Sequence, residues 1–137
     1  LIENFLPLDK LKNVEIYSLT KDISDQKFDC FKNNKIINIA KDFKNFADTA
    51  AAIENLDIVL TSDNCILNLA GALGKKTLAL FNWHYEFRWF DLSKENVIWL
   101  TSVEPIVNDK IDNWSYSINK AVEKIEKIQE IKATNAK

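Results

Sequence analysis

Phe46 to Phe81 reads FADTAAAIENLDIVLTSDNCILNLAGALGKKTLALF, and its pattern runs helix, strand, polar turn, helix, strand. Phe43, Phe46, Ala50, Ile53 and Leu56 recur every three or four residues and mark one helical face. Asp48 and Thr49 fall in the first turns of that helix, where polar side chains can meet backbone N–H groups that a helix start leaves unpaired. Ile58 to Thr61 is a short strand of the buried type. Ile66, Leu69, Ala70 and Leu73 form the next helical face, and Gly74 stops it. Thr77 to Phe81 is a second buried strand. Thr61, Ser62, Asp63 and Asn64 therefore sit where a strand hands over to a helix, the edge at which open α/β sheets bind ligands.

The rest of the chain extends this alternation. Leu1, Phe5, Leu8 and Leu11 have helical spacing, with Pro7 placed near a helix start. Val14–Leu19 alternates as a strand, Lys21–Asn34 is polar loop, and Ile36–Ala40 is a short strand. Val97–Leu100 is the last strand expected. Trp114, Ile118, Ala121, Ile125 and Ile128 line a long closing helix, and Lys132–Lys137 reads as a frayed tail. Strands alternating with helices predict an α/β domain, Rossmann-like and three-layered, with a mostly parallel sheet covered on both faces. One domain over residues 1–131 is expected, with no internal repeat and no linker.

Composition excludes several classes of function. Apolar residues make up 47% of the chain, enough for a core, and the net charge of −2 implies neither a nucleic-acid footprint nor a polybasic membrane patch. No apolar run is long enough to span a bilayer, and no secretory signal opens the chain. Cys30 and Cys65 have no metal-ligand spacing and make no disulfide framework, so a reducing cytoplasm is the expected location. No cluster of His, Asp and Glu suggests a metal. The chain has no Met and starts at Leu1, which reads as a domain of a longer protein. Its only glycines are Gly71 and Gly74, so neither a dinucleotide fingerprint nor a P-loop is present.

The polar turn admits two readings. Asp63 and Asn64 are good helix caps and can be only that. The helix dipole and its unpaired N–H groups also suit a phosphate. Because Asp63 is itself an anion, it organises the turn while amides near Asn64 and Cys65 meet the ligand. Cys65 fills a small space at the helix start. Asn68, one turn beyond Asn64, is either an edge residue bonding a neighbouring loop or a donor aimed at the same ligand. Asn82–Trp89 (NWHYEFRW) holds the only histidine, His84, and the only arginine, Arg88. It is either an aromatic lid or a site in which Arg88 contacts an anion or sugar and the aromatics stack on a sugar or base.

FADTAAAIENLDIVLTSD, LNLAGALGKKT and WHYEFRW together resemble the C-terminal half of a GT-B glycosyltransferase, nearest to those fused to tetratricopeptide repeats and related to the heptosyltransferases. The resemblance covers most of the chain. It implies the donor-binding one of two facing Rossmann-like domains. The first strand would precede Leu1, and the acceptor-side N-terminal domain and repeats would lie elsewhere in the protein. It implies a nucleotide-sugar donor as substrate, metal-independent transfer and no cofactor. Asp63 stands at the family's turn Asp, Asn64 where Thr is usual and Asn68 where His is usual. Asp48 and Thr49 match its DTA helix start, Gly71–Lys75 its AGALGK segment, and Trp83, Arg88 and Trp89 its aromatic motif. Replacement of His by Asn68 removes a charge-assisted donor, a bond roughly twice as strong as a neutral one. The implied function is donor binding for glycosyl transfer, with a degenerate, non-catalytic scaffold as the alternative. A flavodoxin-like binding domain, taking a flavin or phosphate, is a third reading.

Overall fold

All strand pairs in the computed structural model are parallel among the described residues, and they form two separate sheets. The structure describes residues 2–83, 89, 97 and 99–135. It divides into one unit of Leu1–Phe43 with Ile118–Lys137 and another of Lys44–Ser117.

In the first unit, β1 (Ile16–Ser18) pairs with β2 (Ile36–Asn38) in register from Ile16 opposite Ile36. Ile2–Lys10, expected as a helix, winds as 3₁₀ with Pro7 inside it. Short 3₁₀ turns occupy Asp25–Phe28, within the predicted loop, and Ala40–Asp42, which takes over the last residue of the strand predicted to run to Ala40; the strand itself ends at Asn38. The Asp9 carboxylate accepts from the backbone N–H groups of Lys32 (2.9 Å), Asn33 (2.9 Å) and Asn34 (2.7 Å) and so clamps that turn. Desolvation alone would raise the Asp9 carboxyl, but these bonds, with one from the Asn33 side chain, together hold it below its ordinary value.

The second unit begins with α1 (Phe46–Asn55), followed by β3 (Val59–Ser62), α2 (Cys65–Ala72), β4 (Thr77–Phe81) and β5 (Val103–Val107). Strand order is β3-β4-β5. Every residue of β4 is buried, as a middle strand covered on both faces requires. Its neighbours are only partly buried: β3 alternates, with Val59 and Thr61 buried, and β5 buries Val103 and Ile106, which at an odd spacing lie on opposite faces. Leu67 of α2, Ala79 and Phe81 of β4, Trp89, Val97 and Val103 form one apolar cluster, with Leu100 and Val107 against it.

The predicted last strand is displaced. Val97 makes an isolated bridge and Trp99 and Leu100 lie outside any strand, whereas Val103–Val107 forms β5. Pro105 hides this strand from a sequence reading, because proline cannot donate to a ladder. Here Thr77 N–H donates to Ser102 O and Asn108 N–H to Phe81 O, so the even-numbered residues of β5 face β4. Pro105 faces outward, where its missing N–H costs no sheet bond.

The AGALGK segment is accounted for by packing and capping. A Cβ on Gly71 would meet Leu100 Cδ1 at 2.6 Å, so only glycine fits without displacing that side chain. Gly74 has φ +69°, and Lys75 N–H closes the helix end on Ala70 O at 2.9 Å. The Lys75 ammonium donates to Glu54 O (3.0 Å) and Leu56 O (2.7 Å), tying down the carbonyl end of α1.

Helix α3 (Trp114–Asn135) closes the chain, and the unit boundary falls within it, after Ser117. Ile118, Ala121, Val122 and Ile125 are its buried stripe, and Gln129 donates to Lys12 O at 2.9 Å. The helix continues through Asn135, beyond Lys132 where fraying is predicted.

Candidate functional site

In a parallel sheet all strands end at one edge, and that edge of β3-β4-β5 gathers the polar residues that follow each strand. Ser62 pairs with Leu80 and Phe81 with Val107, so Asp63, Asn82 and Asn108 leave the sheet at neighbouring points.

At the β3 end the polar side chains are committed to neighbours. Asn64 is the N-cap of α2, in extended backbone, and its Oδ1 accepts from Ile66 N (2.8 Å), Leu67 N (3.4 Å) and Thr61 Oγ1 (3.2 Å). Its amide donates to Ser62 Oγ at 3.3 Å. Asn68 turns its amide back onto Asn64 O at 3.1 Å, although the residue is exposed. Asp63 accepts from the indole Nε1 of Trp89 at 2.8 Å. Trp89 is buried, tilted on Phe81 at 5.6 Å and edge-on to Trp99 at 6.3 Å. The carboxylate thus holds an aromatic wedge against the sheet. Cys65, expected to fill a small space at the helix start, is instead exposed, because as the first residue of α2 it points away from the apolar face carried by Leu67 and Ala70.

Asp48 and Thr49 stand at the start of α1. Asn45 caps that helix through Ala47 N (2.8 Å) and Asp48 N (3.2 Å), and Asp48 completes the box by accepting from Lys44 N (2.7 Å) and Asn45 N (3.3 Å). Thr49 is buried. Four of the expected residues, Asp63, Asn64, Cys65 and Asn68, are therefore brought together on β3–α2. Asp48 and Thr49 belong to the α1 cap, and Arg88, with His84, lies outside the described residues.

At the β4 and β5 ends the structure adds a cluster that sequence reasoning missed. Asn82 donates to Asp112 Oδ1 at 2.8 Å, and its own Oδ1 accepts from Asp112 N (2.9 Å), Trp83 N (2.9 Å) and Asn108 Nδ2 (3.4 Å). Asp112 has φ 56°, a left-handed conformation that Asp tolerates better than most residues. Asn108 is buried and its Oδ1 has no partner among the described residues. The one available signal was the stretch Asn108–Asn113, polar but for Ile111, after an apolar segment, and it carries no mark of its partner 30 positions earlier. Trp83, next to this clamp, is 51% exposed, and Ile111 is 61% exposed.

Among the described residues no group of His, Cys, Asp and Glu is arranged to hold a metal ion, and no helix is long and apolar enough to cross a membrane. Compared with known proteins, the chain matches no family model, no curated protein and no solved structure.

Proposed function

We propose that this chain is the donor-side half of a GT-B glycosyltransferase and that the carboxyl edge of β3-β4-β5 receives a nucleotide sugar. The observation that carries the reading is the all-parallel sheet whose β3–α2 corner presents Asp63 and the start of a helix at the edge where such sheets take phosphorylated ligands. The amide of Cys65, the first residue of α2, has no hydrogen-bond partner among the described residues and is the backbone donor offered to the diphosphate. Asp63 serves that corner indirectly, by holding Trp89 rather than by touching an anion. The acceptor would be activated from an N-terminal domain, and tetratricopeptide repeats would be its companions in the protein.

Titration with a panel of nucleotide sugars in chelator-containing buffer, followed by calorimetry, tests the reading. Binding of one donor with competition by its nucleoside diphosphate is expected. Failure of every donor to bind up to millimolar concentration overturns it.

A second reading, a degenerate scaffold on the same fold, has one observation in its favour: the Asn64 and Asn68 amides are both turned back onto β3–α2 itself. Asn68→His separates the two. In an intact pocket the restored imidazole raises donor affinity about tenfold, whereas in a vestigial one affinity is unchanged.

A further inference from the structure

The described part of the carboxyl edge leaves one large aromatic face uncovered. Trp83 follows the end of β4 by two residues and is half exposed, although its backbone is fixed by the bond from its N–H to Asn82 Oδ1. Asn82 is in turn locked to Asp112 by two hydrogen bonds of its own side chain: its amide donates to the Asp112 carboxylate, and its Oδ1 accepts from the Asp112 backbone N–H. An exposed tryptophan on a rigid support, beside a carboxylate with acceptor capacity left over, is a specific chemical combination. The indole offers a flat, electron-rich face and the carboxylate accepts from hydroxyl groups. A pyranose ring presents the complementary pair, a face of C–H groups and an equatorial belt of hydroxyls.

Size argues against a protein partner. Among the described residues, Trp83 and Ile111 are the exposed apolar side chains flanking the Asn82–Asp112 clamp, and Asp109, Asp112 and Asn113 are exposed or half-exposed polar residues around them. A stable protein interface needs about 800 Å² on each side, far more than two side chains supply, whereas one sugar ring covers about the area of one indole face.

We infer that Trp83 and Asp112 form a sugar subsite, Trp83 stacking on a pyranose ring and Asp112 accepting from its hydroxyls. The inference rests on the donor-side reading above and deepens it, by naming the residues that bind the sugar as distinct from the diphosphate.

The test compares nucleoside diphosphates (of uridine, guanosine and adenosine) with their hexose conjugates, on the wild-type chain and on Trp83→Ala, Trp83→Phe and Asp112→Asn. The quantity read is the gain in affinity of the conjugate over its diphosphate. Trp83→Ala is expected to reduce that gain about five- to tenfold while leaving diphosphate affinity within twofold. Trp83→Phe keeps most of it. Asp112→Asn, which still accepts from Asn82, is expected to reduce it about threefold. An unchanged gain in Trp83→Ala, or equal weakening of diphosphate and conjugate, overturns the subsite while leaving nucleotide binding in place. If the wild-type chain binds neither class of probe, the donor-side reading itself falls and the subsite falls with it.

Discussion

Helices α1 and α2 start alike and dispose of their carboxylates differently. Each begins from an asparagine in extended backbone, Asn45 at φ −154° and Asn64 at φ −156°, whose side chain accepts from the second and third amides of the helix. In α1 the third residue is Asp48, which reaches back to Lys44 and Asn45 and closes a local box. In α2 the third residue is Leu67, buried in the apolar cluster, and the carboxylate stands before the cap as Asp63. Asp63 then takes the indole of a residue 26 positions away. A carboxylate inside the first turn stabilises its own helix. Moved outside it, the same group ties a distant tryptophan, Trp89, to the sheet edge.

The largest effect expected from that difference is at Asp63. Asp63→Ala removes the charged acceptor of a buried indole N–H and is expected to lower stability by about 2–3 kcal/mol. Asp48→Ala breaks only the local box, at about 1 kcal/mol. Urea unfolding measures both. Asp63→Asn, which keeps a neutral acceptor, falls between, and the Trp89 indole proton resonance should move in both Asp63 variants and stay fixed in Asp48→Ala. Equal costs at the two positions, or an unmoved indole signal, would break the contrast.

The caps themselves rank next. Asn64→Ala takes away two amide contacts and the bonds to Thr61 and Ser62, and about 1–2 kcal/mol is expected. Asn45→Ala leaves Asp48 bonded to Lys44 N and Asn45 N, so its cost should be the smaller, about 1 kcal/mol. Thermal or urea midpoints read the order, and a reversal would mean that the Thr61 and Ser62 contacts add nothing.

These features differ in how far they could be read from the chain. Strand β4 was legible to its bounds because burial on both faces leaves an apolar run, Leu78–Phe81, opened by the β-branched Thr77 and set between Lys76 and Asn82. Gly74 was legible because a left-handed helix end selects glycine. The start of α1 was expected at Phe43, since Phe43 continues the three-and-four spacing, but the Asn45 cap opens the helix at Phe46. Strand β5 was lost to Pro105, whose acceptability depends on which way one residue faces in a ladder. The single expected sheet gave way to two, because β1 and β2 are three residues each and only partly buried. At the site, the residues of one turn, Asp63 to Asn68, were found together because they are local. The partners that decide what they do, Trp89 for Asp63 and Asp112 for Asn82, are set by tertiary contacts that no periodicity encodes.

Asn68 gives the smallest effect and the sharpest separation of cap from site. Its amide donates to Asn64 O within its own helix, on an exposed face, a bond that competes with water and contributes little. Alanine is the better helix former by roughly 0.5 kcal/mol, so Asn68→Ala is expected to leave the unfolding free energy within about 0.5 kcal/mol of wild type, with any change toward greater stability. Because the amide faces back along α2, the same variant should leave donor affinity within about twofold, a difference under 0.5 kcal/mol. A tenfold loss of donor affinity at unchanged stability would mean that Asn68 swings out to the ligand. The β3–α2 corner would then use its second asparagine on the ligand, as α1 never uses Asp48.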